Sequence, residues 1–180
     1  MRRLSALLIV VFALTSCSPH QPASQNPETQ KLSAPSECSA LPVLASIKKI
    51  VPEAVYIPTN WQPAKGTDLE AALNAGGLAC TYGIESAEIG GTLIWAPANQ
   101  SQWDKRKALW LAGDFQQSKI KGFSDALILK DGVTGVDGAP RWNAIVYFEG
   151  FWISANLSFV QSIEQAKPIL DAARESLVSN

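Results

Sequence analysis

Residues 142–159 read WNAIVYFEGFWISANLSF: two apolar-rich arms, Trp142 to Phe148 and Phe151 to Phe159, on either side of Glu149-Gly150. In the second arm Phe151, Ile153, Ala155, Leu157 and Phe159 alternate with Trp152, Ser154, Asn156 and Ser158. A period of two puts successive side chains on opposite faces of a pleated strand, so the segment predicts a half-buried antiparallel hairpin. The aliphatic and phenylalanine set claims the core. Trp152, Ser154 and Asn156 are then expected on the other face.

Outward from the hairpin, the pattern changes period. Ile163, Ala166, Leu170, Ala173 and Leu177 recur every three or four residues, which predicts a C-terminal helix with one face on the sheet. Pro168 falls inside it and predicts a kink or a late start. On the N-terminal side, residues 131–140 form a glycine-rich connection, preceded by predicted strands at Ser118–Phe123 and Ala126–Lys130. Ser101 and Asp104 are expected to open a helix from Gln102 to about Gly113, carrying Trp103, Trp110 and Leu111 inward. Leu78–Ile84 and Gly91–Ala96 read as strands about a turn. Thr67 and Glu70 have capping-box spacing for a short helix that Gly76-Gly77 stops. Ala54–Ile57 reads as a strand. Before it, Ser39 is expected to cap a helix bearing Val43, Leu44, Ile47, Ile50 and Val51, with Pro42 in its first turn and Pro52 after its end. Helices interspersed with antiparallel hairpins predict an α+β sandwich: a single twisted, mainly antiparallel sheet covered by helices.

The other end of the chain speaks to address. Met1 to Cys17 reads MRRLSALLIVVFALTSC: a basic start, an apolar core from Leu4 to Leu14, and small residues before a cysteine. The apolar run is too short to span a bilayer and reads as an export signal. Leu14-Thr15-Ser16-Cys17 resembles a bacterial lipobox, which implies cleavage after Ser16 and acylation of Cys17. The alternative is a plain secretory peptide cut near Ser16, with Cys17 incidental. Residues 1–16 are thus a signal peptide. Residues 17–36, rich in Pro, Ser, Gln and Asn, are expected to be a flexible tether behind the lipidated cysteine, and residues 37–180 a single domain. Fifteen basic and sixteen acidic residues, two of the basic ones within the signal, leave no electrostatic footprint for nucleic acid.

Exported chains mature in an oxidising compartment, so the two remaining cysteines, Cys38 and Cys80, are expected to pair as a disulfide. A metal site needs more ligands, and a redox pair normally reads Cys-x-x-Cys. The single histidine, His20, lies in the tether, and no Gly-x-Ser-x-Gly or Ser-x-x-Lys motif is present. Residues 132–138, GVTGVDG, have the glycines of a phosphate loop but lack its Gly-Lys-Ser/Thr ending, and read as a hairpin connection. No catalytic residue, metal or cofactor is expected. Lys105-Arg106-Lys107, with Lys119 and Lys121, is the densest basic run; it reads as a solvated helix face, or as a contact for anionic wall polymers or lipid headgroups. Trp61, Trp95 and Trp152 are aromatic candidates for sugar stacking or partner docking; Trp152 with Ser154 and Asn156 forms a binding strip if no helix covers that face, and Trp152 is core or second-layer packing if one does.

The lipobox, the polar tether, Cys38 opening the domain in Glu37-Cys38-Ser39-Ala40-Leu41, Cys80-Thr81-Tyr82 and the late hairpin with its terminal helix together are similar to the small cell-envelope lipoproteins common in actinobacteria. Many of these adopt a PsbP-like α/β sandwich. The resemblance implies that fold and an extracytoplasmic, lipid-anchored location. The residues themselves suggest a non-catalytic binding role toward a cell-wall polymer or an envelope protein, the alternative being an envelope hydrolase.

Overall fold

A computed structural model describes residues 32–87, 89–131 and 141–179. Cys17, His20, residues 18–31 of the expected tether and the 132–138 glycine segment lie outside them. Nine strands and four helices are described: β1 Leu32–Ser33, α1 Pro42–Ile47, β2 Val55–Ile57, α2 Asp68–Asn74, β3 Leu78–Ile84, β4 Ile89–Pro97, α3 Gln100–Ala112, β5 Gln116–Ser118, β6 Asp125–Asp131, β7 Arg141–Phe148, β8 Phe151–Leu157, α4 Ile163–Glu175 and β9 Val178–Ser179. Seven strands form one open antiparallel sheet in the order β2-β3-β4-β8-β7-β6-β5. The chain has the α+β sandwich architecture, with helices on both faces of the sheet.

The hairpin forms as its alternation predicts. Phe148 pairs with Phe151 and Trp142 with Leu157. Glu149 and Gly150 both take positive φ, 43° and 86°, the backbone that a two-residue turn needs to follow the twist of its strands. The second arm ends at Leu157 rather than Phe159. There the Ser158 hydroxyl accepts from Gly90 N at 3.0 Å and donates to Gly90 O at 2.8 Å, while Ser158 N also donates to Gly90 O at 3.0 Å, so side-chain and backbone bonds together close the end of the ladder.

The inward set of β8 faces α1 and α4. Cys80, Tyr82, Leu93, Trp95, Val146, Ile153 and Leu157 pack there against Val43, Ile47, Ile169 and Leu170. Cys38 and Cys80 are joined as a disulfide with Cα atoms 5.6 Å apart, which ties the approach to α1 to the middle of β3. The Tyr82 hydroxyl donates to Cys38 O at 2.9 Å beside it. Burial, and then the neighbouring Tyr56, raise the Tyr82 phenol above its usual value, so it stays a donor. We call this the disulfide face. The opposite, tryptophan face carries α2 and α3 over Ala96, Ala98, Leu127, Ile145, Tyr147 and Trp152.

Several local expectations are corrected. Leu41, not Ser39, is the N-cap of α1, with Pro42 in the first turn and no side-chain cap. The α3 cap is Asn99: Asn99 Oδ1 accepts from Gln102 N at 2.9 Å and Gln102 Oε1 from Asn99 N at 2.8 Å, a reciprocal pair set two residues earlier than Ser101 and Asp104. Of the segment expected to be strand from Ser118 to Phe123, only Ser118 is, as the last residue of β5 Gln116–Ser118. Helix α4 runs from Ile163 through Pro168, without a late start, because that proline lies on the exposed side where the lost hydrogen bond leaves a carbonyl to water. The Thr67 cap of α2 accepts from Glu70 N at 3.2 Å, as its spacing predicts. The domain also begins before Glu37. Leu32 and Ser33 pair with Ser179 and Val178, and Pro35 is buried, so the end of the expected tether is built into the fold.

Candidate functional site

The tryptophan face is laid out in rungs that run across the strands. One rung is Ala96, Trp152, Tyr147 and Asp125. The next is Ala79, Ile94, Ser154, Ile145 and Leu127. A third is Ile57, Thr81, Thr92, Asn156, Asn143 and Leu129. Trp152, Ser154 and Asn156 therefore share a face, as the alternation requires, but they meet different surroundings.

Helix α3 fastens the first rung. At positions i, i+3, i+4 and i+7 it projects Trp103, Arg106, Lys107 and Trp110 toward the sheet. Asp125 Oδ2 accepts from Trp103 Nε1 at 2.9 Å and from Lys107 Nζ at 2.6 Å, and Gln117 Nε2 donates to its other oxygen. Burial pushes this carboxyl up. The hydrogen bonds from Lys107, Trp103 and Gln117, with the Lys107 charge, outweigh that and hold it below its ordinary value. On the other side Asp68, in the first turn of α2, pairs with Arg106 and accepts Trp110 Nε1 at 2.6 Å. Each clamp joins one carboxylate to one indole and one cation. The rings themselves pack closely, with centroids 5.0 Å apart for Trp103 and Tyr147, and 5.5 Å for both Trp103–Trp110 and Trp110–Trp152.

Of the two readings of Trp152, packing beneath a helix is the one found, and it is not an open platform. Only 2% of it is exposed, because α2 and α3 lie over it and the Arg106 guanidinium carbon sits 5.8 Å from its ring centre. Trp95 is also removed from the surface candidates: it is fully buried on the disulfide face and donates Nε1 to Ala173 O at 2.7 Å. Trp61 keeps part of its surface. Its Nε1 donates to Ala79 O at 2.9 Å, pinning the loop after β2 to the outer edge of β3. Of the basic run, Arg106 and Lys107 turn inward to their carboxylates, while Lys105, Lys119 and Lys121 remain exposed. Leu111 and Leu109 face solvent, 43% and 71% exposed.

The third rung differs in kind. Asn156 is exposed, and Thr81, Thr92, Asn143 and the adjacent Ser154 keep part of their surface. The Thr59 hydroxyl donates to Thr81 Oγ1 at 3.0 Å, extending the row onto the loop that carries Trp61. Neighbouring strands lie about 4.8 Å apart, so Thr81, Thr92, Asn156 and Asn143 make a flat row about 14 Å long of alternative donors and acceptors. None of the four is ionisable. Sequence reading found Ser154 and Asn156 but missed their partners, since only the strand order brings β3, β4 and β7 beside β8. Among the described residues, no three or more His, Cys, Asp or Glu side chains stand together to hold a metal ion, and no helix is long and apolar enough to cross a membrane.

No protein-family model, no curated protein and no solved structure matches this chain.

Proposed function

We propose that this chain is a lipid-anchored protein of the cell envelope, held at the extracytoplasmic side of the membrane by Cys17, whose domain binds a cell-wall polymer without chemical turnover. The anchor rests on Leu14-Thr15-Ser16-Cys17, and so does the proposed kinship with small envelope lipoproteins of the PsbP-like layout. The observation that carries the binding reading is the uncharged row Thr81, Thr92, Asn156 and Asn143, beside Ser154. A flat, rigid row of hydroxyls and amides matches the evenly spaced hydroxyls of an extended neutral glycan. An acidic or basic partner would want opposite charges there, and the row has none. A half-buried tryptophan at its rim offers an apolar surface for a sugar ring.

The test is co-sedimentation of the mature chain bearing Cys17→Ser with insoluble cell-wall polymer. Asn156→Lys and Thr92→Lys place a bulky charge in the row at accessible positions and should each reduce the bound fraction at least tenfold. Sedimentation unchanged in both variants would overturn the reading. Retention on polymer-free envelope protein instead would move the partner from glycan to protein.

A further inference from the structure

A second site lies apart from the open row. Helices α2 and α3 diverge over Trp152 and leave a cleft of about 290 Å³. Ala71 and Ala75 form one wall, Lys105, Arg106 and Leu109 the other, and Trp152 the floor. Its hydrogen-bonding groups do not balance. Trp61, Trp95, Trp103 and Trp110 donate their indole N–H groups to carbonyl or carboxylate oxygens at 2.6–2.9 Å. Among the described residues the Trp152 N–H has no acceptor, although the residue is 2% exposed. Nor is that nitrogen sealed off from solvent-sized space, so the small opening left on Trp152 includes its N–H. That N–H is therefore still available to donate to whatever reaches it through the opening.

The surrounding charges point the same way. Lys105 makes no ion pair among the described residues, and Arg106 spends one nitrogen on Asp68. Among the described residues, no carboxylate lines the cleft. Three donor-bearing side chains, two of them cationic, therefore line a space with small apolar walls and an exposed leucine at its lip. The complementary guest brings acceptor oxygens with negative charge and an apolar body. We infer that the α2–α3 cleft binds a small carboxylate with an apolar tail. Its oxygens are taken by Trp152 Nε1, Arg106 and Lys105, and its tail lies between the α2 alanines and Leu109. A free fatty acid and the C-terminus of a peptide ending in an apolar residue share this chemistry.

The experiment follows the indole N–H signals of the ¹⁵N-labelled mature chain, the Trp152 signal being the one that Trp152→Phe removes. Octanoate and N-acetyl-leucine represent the two sources, and octan-1-ol is the uncharged control. Titration with at least one carboxylate should move the Trp152 signal, the tighter of the two naming the source, while octan-1-ol binds at least tenfold more weakly. Lys105→Glu reverses an exposed charge and should weaken carboxylate binding about tenfold with an unchanged melting temperature. Trp152→Phe, which keeps a ring on the floor, should weaken it several-fold as read from the neighbouring Trp110 indole signal. Asn156→Lys should leave it unaltered, which separates this site from the open row. The inference is overturned if neither carboxylate moves the Trp152 signal, if octan-1-ol binds as well as octanoate, or if Lys105→Glu binds unchanged.

Discussion

Replacing Trp152 by alanine distinguishes a structural floor from a surface platform. The ring is almost wholly buried beneath α2 and α3, meets Trp110 edge-on at 5.5 Å and lies 5.8 Å from the Arg106 guanidinium carbon. Truncating a buried tryptophan costs about 3–5 kcal/mol, transfer and cavity together. The cation contact adds roughly 0.5–1 kcal/mol at a partly exposed site. Against this, the vacated space opens onto the α2–α3 cleft, so water can enter it. That favours the lower end, about 3 kcal/mol. Urea unfolding followed by far-ultraviolet circular dichroism avoids a readout altered by the lost indole. With a slope of about 1–3 kcal/mol per molar, the midpoint should fall by roughly 1–3 M. Asn156→Ala, an exposed residue on the same strand and face, should stay within about 0.5 kcal/mol of the parent. A Trp152→Ala loss below about 1 kcal/mol would refute the packing described for this face.

Asp125 predicts an acid-sensitive fastening of α3. Its carboxyl is held below the ordinary value in the fold, so it contributes stability above the unfolded carboxylate pKa of about 3.9, and that contribution disappears as pH falls through the folded value. Asp125→Asn should flatten the fall in urea midpoint below about pH 4, and parallel profiles would count against the clamp. Reducing the Cys38–Cys80 disulfide should cost about 2–5 kcal/mol, while thiol titration of the unfolded, unreduced chain should find neither cysteine free. Beginning the chain at Glu37 removes the β1–β9 pairing and the buried Pro35, and should lower the melting temperature by several degrees, about 1–2 kcal/mol. An unchanged melting temperature would return residues 32–36 to the tether.

What could be read in advance depended on whether a signal was local. The β7–β8 hairpin was legible because alternation and Glu149-Gly150 both lie within a few residues. Thr67 and Glu70 declared their cap for the same reason. The cover over Trp152 was not legible, since alternation says which way a side chain points and nothing of which distant helix arrives there. Helix α3 disguised its inner face, which holds Arg106 and Lys107 between two tryptophans. Those charges are tolerable inside only because Asp68 and Asp125, far off in sequence, meet them. Exposed Leu109 and Leu111 blurred the pattern further. Leu32–Ser33 looked like tether because two residues cannot announce a strand whose partner, Val178–Ser179, is at the other end of the chain. The open row shows the same limit, with Asn156 visible in its own strand and Thr92, Thr81 and Asn143 gathered beside it only by pairing.

The envelope reading turns on Cys17, and intact-mass and peptide mass spectrometry of the native protein from the membrane fraction tests it most directly. Lipid anchoring predicts a mature N-terminus at Cys17 carrying acyl chains, more than one being needed for stable anchoring. A mature chain with an unmodified Cys17, or one cleaved elsewhere and recovered in the soluble fraction, would contradict it.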